Sequence, residues 1–490
     1  MRAIARWAAA APLLLALLAI PPEPARAREA TTTETGKPID AAPIDREVAA
    51  LEKWVAEKGG RVTIAVVDVR SGRMLAAANP KLALNPASNS KLLTAAAALK
   101  RLGPDYRYTT GVYGAIEHGV ASHLVLRGHG DPSLAEADLA ELARVLVEIG
   151  LERVDGDILV DQSRFDTRYV PPAFDQQPNE WASFRSPVSA IALERNTVTL
   201  NVLATEPGEA ARTWYQPAGF VESTGRVETR KVGSGQAVTW SLEPAGSRLK
   251  ARIGGHVAAG LPRLRFNRRV DDPTLLPGYA LGHLLRAMGV EIKGKVAAGG
   301  AGEKHRLVFH ESPPLSALLA ELGKHSDNFY AEMVFKSLGD ANDGTPATSA
   351  AGAKVVLEWL KQIGAADDQT RIINGSGLFD ANRVSADTLC RALRAAYRDP
   401  TISAEFVSQL AIGGVEGTLK WRFREHRDRH SIRAKTGTLA KSDALSGYVL
   451  GVNGADPVAF SIVLNGLGDH REDRRRIDRV VGQIVRVVGG

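Results

Sequence analysis

The sequence of 490 residues contains a single cysteine, Cys390, so no intrachain disulfide can form. Cys390 falls within a helical pattern over 386–397, which predicts an inert cysteine in the core. Beyond the first 20 residues, no stretch is long and apolar enough to indicate a transmembrane helix. With 44% apolar and 24% charged residues, the composition is that of an ordinary globular protein, and the length suffices for two or three domains.

Signals for nucleic acids, cofactors and metals are also missing. The net charge of +7 is mild, and no basic stripe interleaved with aromatic residues indicates a nucleic-acid partner. Such basicity suits an anionic polymer or a membrane surface, and it also occurs on ordinary solvated faces. His426 and His430 lie four residues apart without a third ligand, so we expect no metal site there. The glycine-rich stretch over 299–302 lacks the residues of a phosphate loop, and no cofactor is predicted.

The N-terminus has the pattern of a secretory signal peptide. Arg2 and Arg6 precede an apolar stretch over 7–20, and Ala25 and Ala27 form a small-residue cleavage site. Cleavage after Ala27 is favoured over an uncleaved anchor, because the apolar stretch is short for a membrane span and is followed by Pro21. The sequence therefore predicts a signal peptide over 1–27 and export to the periplasm.

The first chemical signal is Ser88, followed three residues later by Lys91. Pro86 stands where a first helical turn tolerates proline, and the run over 92–99 is rich in helix formers. A helix that begins here places Ser88 and Lys91 on one face, one turn apart. The pair predicts a serine nucleophile beside a lysine that burial can deprotonate. On its own the motif is weak, because Ser-x-x-Lys occurs often by chance.

Two distant motifs strengthen this prediction. Ser326-Asp327-Asn328 stands at a break between two helical patterns, and Lys-Thr-Gly-Thr occupies 435–438 among strand-like runs. Together, S-x-x-K, S-D-N and K-T-G are the signature set of active-site serine penicillin-binding proteins and class A β-lactamases. Their common order and plausible local structure make the combination specific.

The pattern of apolar residues places these motifs in a split domain. A helix over 45–58 and strands over 61–69 and 74–78 would begin a helix-flanked antiparallel sheet. Strands over 431–435, 444–450 and 459–464 and a helix over 474–488 would complete it. The chain between Lys91 and Ser326 is far too long for a connection inside one compact domain. Its strand-like runs, with one amphipathic helix over 275–288, indicate inserted modules that are mostly β.

Several further segments resemble one known family. They are the nucleophile segment over 86–94, Gly130-Asp131-Pro132-Ser133-Leu134, Gly156-Asp157-Ile158, Gly417-Thr418-Leu419 and Ser446-Gly447-Tyr448-Val449. Over most of its mature length, the chain resembles the D-alanyl-D-alanine carboxypeptidase/endopeptidase family, the low-molecular-mass class C penicillin-binding proteins.

The resemblance implies an α/β (α+β) fold. A transpeptidase/β-lactamase-like domain, with an antiparallel sheet flanked by helices, would be interrupted by inserted β-rich domains. We expect the catalytic domain at 28–104 and 305–490. One inserted β-rich domain is expected at 105–215 and 266–304, and a second, small β domain at 216–265.

The resemblance also implies a catalytic role for each motif residue. Ser88 would attack the carbonyl between two terminal D-alanines of a peptidoglycan stem peptide and form an acyl-enzyme, which water then hydrolyses. Lys91 would take the Ser88 proton, and Ser326 would relay a proton toward the leaving amine. Asn328 would hold a substrate amide. Lys435 would add positive charge and help to keep Lys91 deprotonated.

Substrate-binding roles fall on neighbouring residues. Thr436 and Thr438 would bind the terminal carboxylate, with Gly437 between them on the same strand. The backbone N–H groups of Ser88 and Thr438 would form the oxyanion hole. Phe184 in the insertion would contact the substrate.

Departures from the family pattern fall at peripheral substrate contacts. Asn374 stands where Asp is frequent, Asp380 where Arg is frequent, and Ala440 where Gln is frequent. Such positions are associated with gripping the diaminopimelate side chain of the stem, and Asp in place of Arg would repel a carboxylate. The preferred stem peptide is therefore left open, with Arg383 close enough in sequence to compensate.

Three functions are compatible with these observations. The leading one is an exported serine D-Ala-D-Ala carboxypeptidase, with endopeptidase activity left open, that β-lactams inhibit by acylating Ser88. A β-lactamase-like hydrolase is the alternative in the same class, although the large insertion favours a polymer substrate. A catalytically weak, cell-wall-binding scaffold protein is the third. Peripheral membrane association and the oligomeric state stay open.

Overall fold

The computed structural model describes residues 39–177, 181–300, 302–451 and 455–489. The predicted signal peptide over 1–27 lies outside the described residues. Within those described ranges, no helix has the length and hydrophobicity that crossing a membrane requires.

The first elements are those that the sequence predicts. Helix α1 (Ala42–Glu57) precedes the antiparallel hairpin of β1 (Arg61–Asp68) and β2 (Met74–Ala78). A short 3-10 turn (Ala87–Asn89) leads into α2 (Ser90–Leu102). Residues 90–99 are all buried, so α2 runs through the core rather than along the surface.

The segment that follows α2 consists mainly of short strands. Its elements are β3 (Thr109–Tyr113), β4 (Ile116–Glu117), β5 (Val120–Ala121), β6 (Leu124–Gly128), α3 (Glu136–Glu148), β7 (Arg153–Val154), β8 (Ile158–Asp161), β9 (Thr197–Leu203), β10 (Arg212–Gln216), β11 (Val221–Gly225), β12 (Glu228–Arg230), β13 (Gln236–Ala245), β14 (Arg248–Ala258), β15 (Leu264–Arg269), α4 (Leu276–Ala287), β16 (Glu291–Ile292), β17 (Val296–Ala298) and β18 (Arg306–Glu311). The mostly β insertion with a helix near its end is confirmed, but α3 was not predicted.

Four small sheets organise this segment. One has the strand order β17-β8-β6-β3-β18, the second β16-β7-β5-β4 and the third β10-β9-β15, while in the fourth β14 pairs with β11, β12 and β13. Strand β18 follows the predicted boundary at 305 but pairs with β3, inside the first of these sheets. The domain boundaries themselves stay a prediction.

The remaining chain returns to the sheet that β1 and β2 begin. Its elements are α5 (Leu315–Lys324), α6 (Asn328–Ser337), α7 (Ser349–Gln362), α8 (Ala386–Arg398), α9 (Ser403–Ser408), β19 (Ala411–Ile412), β20 (Ile432–Leu439), β21 (Ser442–Val449), β22 (Val458–Asn465) and α10 (His470–Gly489). Short 3-10 turns lie at Phe174–Gln176, Ser183–Arg185, Leu193–Asn196, Gly417–Leu419 and Arg429–Ser431.

The main sheet has six antiparallel strands in the order β19-β20-β21-β22-β1-β2, with helices on both faces. Alternate residues of β22 pack on opposite sides: Val463 joins the core of α2, α5, α6 and α8, whereas Phe460 and Ile462 join that of α1 and α10. Cys390 on α8 is buried, and its thiol donates to the Ala65 carbonyl at 3.3 Å, as expected of a core cysteine. The predicted fold class is confirmed.

Candidate active site

Ser88 lies in the 3-10 turn at the N-terminal end of α2. The preceding Ala87 has a φ of 47°, a backbone conformation that L-residues other than glycine seldom adopt. Ser88 is partly exposed, whereas Lys91 is fully buried. The Nζ atom of Lys91 lies 2.9 Å from Ser88 Oγ. The strained turn thus presents a serine hydroxyl to solvent on one side and to a buried amine on the other.

The environment of Lys91 favours its neutral form. Burial lowers the pKa of Lys91 to about 7, against the opposing charges of Glu332 and Asp327. Nζ contacts two acceptors besides Ser88, namely Asn328 Oδ1 and the Ser376 carbonyl, each at 2.8 Å. A neutral amine has two N–H donors for these acceptors and one lone pair, which is then left for the proton of Ser88.

The S-D-N motif forms the break between α5 and α6, as predicted. Ser326 has a φ of 59°, and Asp327 caps α6 by accepting the Tyr330 N–H at 3.0 Å. Asp327 Oδ2 also accepts from Arg195 of the insertion at 2.5 Å. Asn328, the first residue of α6, bridges two parts of the molecule because Oδ1 accepts from Lys91 and Nδ2 donates to the Phe184 carbonyl at 3.4 Å.

Lys435 on β20 forms the third corner of the site. It is fully buried, and its Nζ donates to Ser326 Oγ and to the Thr436 carbonyl, both at 2.7 Å. Burial, and repulsion from Lys91 whenever Lys91 is protonated, lower the pKa of Lys435 well below its usual range. The structure therefore connects Ser326 directly to Lys435, and it gives burial as the main cause of the low pKa of Lys91.

Two glycines allow neighbouring segments to approach the nucleophile turn. A Cβ at Gly437 of β20 would lie 2.8 Å from the Pro86 carbonyl oxygen and 3.1 Å from the Ala87 Cβ. A Cβ at Gly377 would lie 1.9 Å from the Ala87 carbonyl oxygen. The distances of 2.8 Å and 1.9 Å to the two carbonyl oxygens are shorter than real Cβ contacts. The strand β20 and the 374–377 turn therefore come this close only because residues 437 and 377 are glycines.

Thr436 and Thr438 follow Lys435 on β20. Thr436 is partly buried and Thr438 is exposed. Thr438 Oγ1 donates to Asp443 Oδ1 on β21 at 3.3 Å and accepts from Arg474 of α10 at 3.2 Å. Asp443 also contacts His470 and Asp473, and these three residues offer the donor atoms of a metal site.

Glu332 supports the site from behind Lys91, a role that sequence reasoning missed. It lies on α6, one turn after Asn328, and is 1% exposed. Its carboxylate accepts the N–H groups of Gly375 at 3.2 Å and Ser376 at 2.7 Å. It therefore fixes the turn whose carbonyl faces Lys91. A glutamate among buried apolar residues of α6 was the signal available in the sequence.

Arg474 and Arg195 were also missed. Arg474 is one of five arginines between 471 and 479, so its position in sequence does not distinguish it. Arg195 lies in the insertion, 132 residues from the Asp327 carboxylate that it contacts. Neither residue has a local pattern that predicts its contact with the site.

The residues that depart from the family pattern lie at the edge of the site. Asn374 is fully buried and donates to the carbonyls of Pro172 and Leu378, so it holds a turn. Asp380 pairs with Arg383 at 2.6 Å, which engages the arginine that the sequence offered as compensation. Ala440 is exposed in the turn between β20 and β21.

Phe184 lies in the 3-10 turn Ser183–Arg185 of the insertion, with 45% of its surface exposed. Its carbonyl receives the Asn328 side chain. The insertion thereby borders the S-D-N side of the site. As a whole, the site combines a partly exposed hydroxyl with a buried amine of low pKa, which is an arrangement capable of nucleophilic acyl transfer.

Comparison with known proteins gives the same assignment over nearly the whole chain. The D-Ala-D-Ala carboxypeptidase 3 (S13) family matches residues 47–486. The D-alanyl-D-alanine carboxypeptidase of Actinomadura sp. (strain R39) is 33% identical over 475 residues, which cover 93% of this chain and 85% of that protein. The D-alanyl-D-alanine carboxypeptidase DacB of Haemophilus influenzae is 25% identical over 418 residues, covering 84% and 86% of the two chains.

The fold has solved relatives as well. The crystal structure of penicillin binding protein 4 (dacB) from Haemophilus influenzae aligns with a TM-score of 0.72 at 22% identity, covering 91% of this chain and 99% of that one. The resemblance predicted from the motifs is confirmed: the chain belongs to the D-Ala-D-Ala carboxypeptidase 3 (S13) family and is a serine-type D-Ala-D-Ala carboxypeptidase.

Proposed function

We propose that the protein is exported and removes the terminal D-alanine of peptidoglycan stem peptides through an acyl-enzyme on Ser88. The observation that carries the proposal is the 2.9 Å contact between the Ser88 hydroxyl and the buried Lys91 amine, whose pKa is about 7. A serine hydroxyl is a weak nucleophile until a neighbouring base takes its proton.

In the acylation step, Lys91 takes the hydroxyl proton while Ser88 Oγ bonds to the carbonyl carbon of the penultimate D-alanine. The backbone N–H groups of Ser88 and Thr438 stabilise the resulting oxyanion. When the carbon–nitrogen bond breaks, the leaving amine needs a proton. Ser326 supplies it, because its hydroxyl oxygen accepts from Lys435 Nζ at 2.7 Å and its own proton is left to donate. Lys91 then restores the Ser326 proton.

In the deacylation step, a water molecule attacks the ester carbonyl of the acyl-enzyme. Lys91, neutral again, takes the proton of this water and returns it to Ser88 Oγ as the ester bond breaks. The products are the shortened stem peptide and free D-alanine, and the side chains return to their starting protonation states.

Substrate binding is assigned to both sides of the site. Thr436 and Thr438 bind the terminal carboxylate, and Arg474 adds positive charge beside Thr438. On the opposite side, the Asn328 amide and the exposed Phe184 hold the stem peptide. β-Lactams would react at Ser88 in the same way, because their strained amide occupies the place of the D-Ala-D-Ala bond.

The test is release of D-alanine from a stem pentapeptide that ends in D-Ala-D-Ala. We expect the mature protein to release D-alanine, and Ser88→Ala to reduce the rate more than about 10³-fold. A pentapeptide with an amidated C-terminus serves as the matched substrate and should react poorly. A Ser88→Ala variant that keeps its activity, or a folded wild type that releases no D-alanine, would contradict the proposal.

Three further measurements distinguish the other functions. Release of a stem from cross-linked dimers would add endopeptidase activity. Rapid turnover of a penicillin without D-alanine release would point to a β-lactamase. Binding to peptidoglycan without either reaction would point to the scaffold function.

A further inference from the structure

Three side chains with metal-ligand chemistry meet beside Thr438. Asp443 lies on β21 directly opposite Thr438 of β20, while His470 and Asp473 lie one turn apart at the N-terminal end of α10. One donor atom from each of the three lies within 4.8 Å of the others. Asp443 Oδ2 is 2.5 Å from His470 Nδ1. The cluster thus connects the first turn of the last helix to the main sheet.

The cluster contains a buried oxygen that lacks a partner. Asp473 is 1% exposed, and its Oδ1 accepts no hydrogen bond from any described residue. A buried carboxylate oxygen in this state costs free energy unless a cation or proton satisfies it. Asp443, 2% exposed, stands next to it, so two buried carboxyl groups face one another.

The positively charged side chain beside the cluster, Arg474, leaves the region between Asp443 Oδ2 and Asp473 Oδ1 open. Arg474 Nε lies 3.4 Å from Asp443 Oδ1 and Thr438 donates to the same oxygen, so both use the side of Asp443 away from His470. Asp443 Oδ2 faces the imidazole, and Asp473 Oδ1 has no cationic partner among the described residues.

An access route lies beside the cluster. Asp473 lines a cavity of about 450 Å³ whose other charged lining groups are Asp469, Glu472 and Lys58. Glu472 also pairs with Arg475 and Arg476, so the cavity offers an entry path to Asp473 without a marked excess of negative charge. The His470 side chain is 34% exposed, so its ring can turn without opening the core.

We propose that Asp443, His470 and Asp473 bind one divalent transition-metal ion of the Zn²⁺ class. Two carboxylates and one imidazole suit this class better than Ca²⁺ or Mg²⁺, which prefer oxygen ligands alone. Ligand bonds of about 2.0–2.2 Å place donor atoms roughly 3–3.5 Å apart, which small side-chain rotations achieve here. The fourth position faces the cavity and takes water. The bound ion joins α10 to the strand that positions Thr438, a role separate from the chemistry at Ser88.

The direct test is metal binding by the chelator-treated mature protein. Equilibrium dialysis against Zn²⁺, with metal quantified by mass spectrometry, should give one tightly bound equivalent. We expect His470→Ala and Asp473→Asn each to weaken it by more than about 100-fold, beyond the loss of an outer-shell partner. His305→Ala, which removes an exposed histidine directly before β18, serves as the matched control and should bind like the wild type.

A second readout separates binding from misfolding. Zn²⁺ should raise the melting temperature of the wild type and of His305→Ala, and leave that of Asp473→Asn unchanged, because a ligand stabilises only the state that binds it. Co²⁺ should give the visible absorption of a tetrahedral site. Absence of a tight equivalent in the wild type would overturn the proposal. So would tight binding that survives in both variants, since the ion would then lie elsewhere.

Discussion

At the scale of single residues, the proposed mechanism makes the reactivity of Ser88 depend on the protonation state of Lys91. Burial holds the pKa of Lys91 at about 7, and only the neutral amine accepts a proton. We therefore predict that the rate of acylation by a penicillin falls about tenfold per pH unit below 7 and levels off above it. Stopped-flow measurement of acylation across pH tests this. A rate that is flat between pH 5 and 8, or that rises with acid, would exclude Lys91 as the base.

A substitution at Glu332 should shift the pH dependence of the acylation rate. Its negative charge raises the pKa of Lys91, in opposition to burial. Glu332→Gln keeps a hydrogen-bond acceptor for the Ser376 N–H and removes the charge, so the midpoint of the acylation profile should shift to lower pH. Glu358→Gln, an exposed glutamate on α7, is the matched control and should leave the midpoint in place. An upward shift in Glu332→Gln would contradict this electrostatic account.

The pairing of Ser88 with Lys91 could be predicted from sequence because both residues lie on one local turn. Recognising the motifs as a set assigned Asn328 to the same site, but its direct contact with Lys91 was not predicted. The role of Glu332 could not be predicted, since it depends on a turn that arrives more than 40 residues later in the chain and packs behind Lys91. Arg383 shows the converse limit: the sequence offered it as a residue that compensates for Asp380, but the structure pairs it with Asp380 itself.

At the scale of elements, the closeness of β20 to the nucleophile turn depends on Gly437. Gly437→Ala puts a Cβ about 2.8 Å from the Pro86 carbonyl oxygen. We expect a stability loss of about 1–3 kcal/mol from overpacking and a drop in acylation rate that approaches about 10²-fold if β20 moves by 1 Å. Gly468→Ala, where a Cβ meets no atom within 4 Å, is the control for glycine substitution. If Gly437→Ala is acylated at the wild-type rate, β20 does not need glycine at this position, and the prediction is wrong.

The last helix contributes Arg474 to the part of the site around Thr438, where we propose that the terminal carboxylate binds. Arg474→Ala should raise KM for the D-Ala-D-Ala pentapeptide about fivefold, since an ion pair at a half-exposed arginine contributes about 1 kcal/mol. The effect should vanish for a substrate with an amidated C-terminus. Arg479→Ala, an exposed arginine on the same helix, should behave as the wild type. An equal loss on both substrates would mean that Arg474 only holds the fold.

Most elements with a regular spacing of apolar residues could be predicted from sequence. Helix α3 was not predicted, although its sequence has this spacing. Its buried residues Leu139, Leu142, Ala143 and Leu146 follow helical spacing, and Asp138 accepts the Ala135 N–H at its start. The surrounding strands and turns drew the prediction toward a mostly β insertion whose one helix was placed at 275–288. Strand β18 shows a different limit, because its partner β3 lies almost 200 residues earlier and no local pattern identifies it.

At the scale of the whole molecule, the insertion and the split sheet meet at the S-D-N turn. Arg195 of the insertion binds the Asp327 carboxylate and stacks on the Tyr330 ring at 5.0 Å. The Phe184 carbonyl receives Asn328 on the same side. The insertion therefore supports the S-D-N turn as well as bordering the site, and the prediction of separate modules did not include this contact.

This contact predicts long-range coupling. Arg195→Ala should lower stability by about 0.5–1 kcal/mol, because the arginine is 43% exposed and its ion pair is screened by water. Acylation should slow by up to about fivefold as the turn loosens. Arg212→Ala, an exposed arginine of the same insertion, is the matched control for chemical denaturation and acylation kinetics. Slower acylation in both variants would locate the effect in the insertion as a whole.

The proposed mechanism depends on acylation of Ser88. The mature protein would be incubated with a penicillin, and intact-protein mass spectrometry and peptide mapping would locate the adduct. One penicillin per chain should appear on the tryptic peptide 82–91 of the wild type and of Ser90→Ala, and none on Ser88→Ala. Persistence of the adduct in Ser88→Ala, or its appearance on another peptide, would contradict the account.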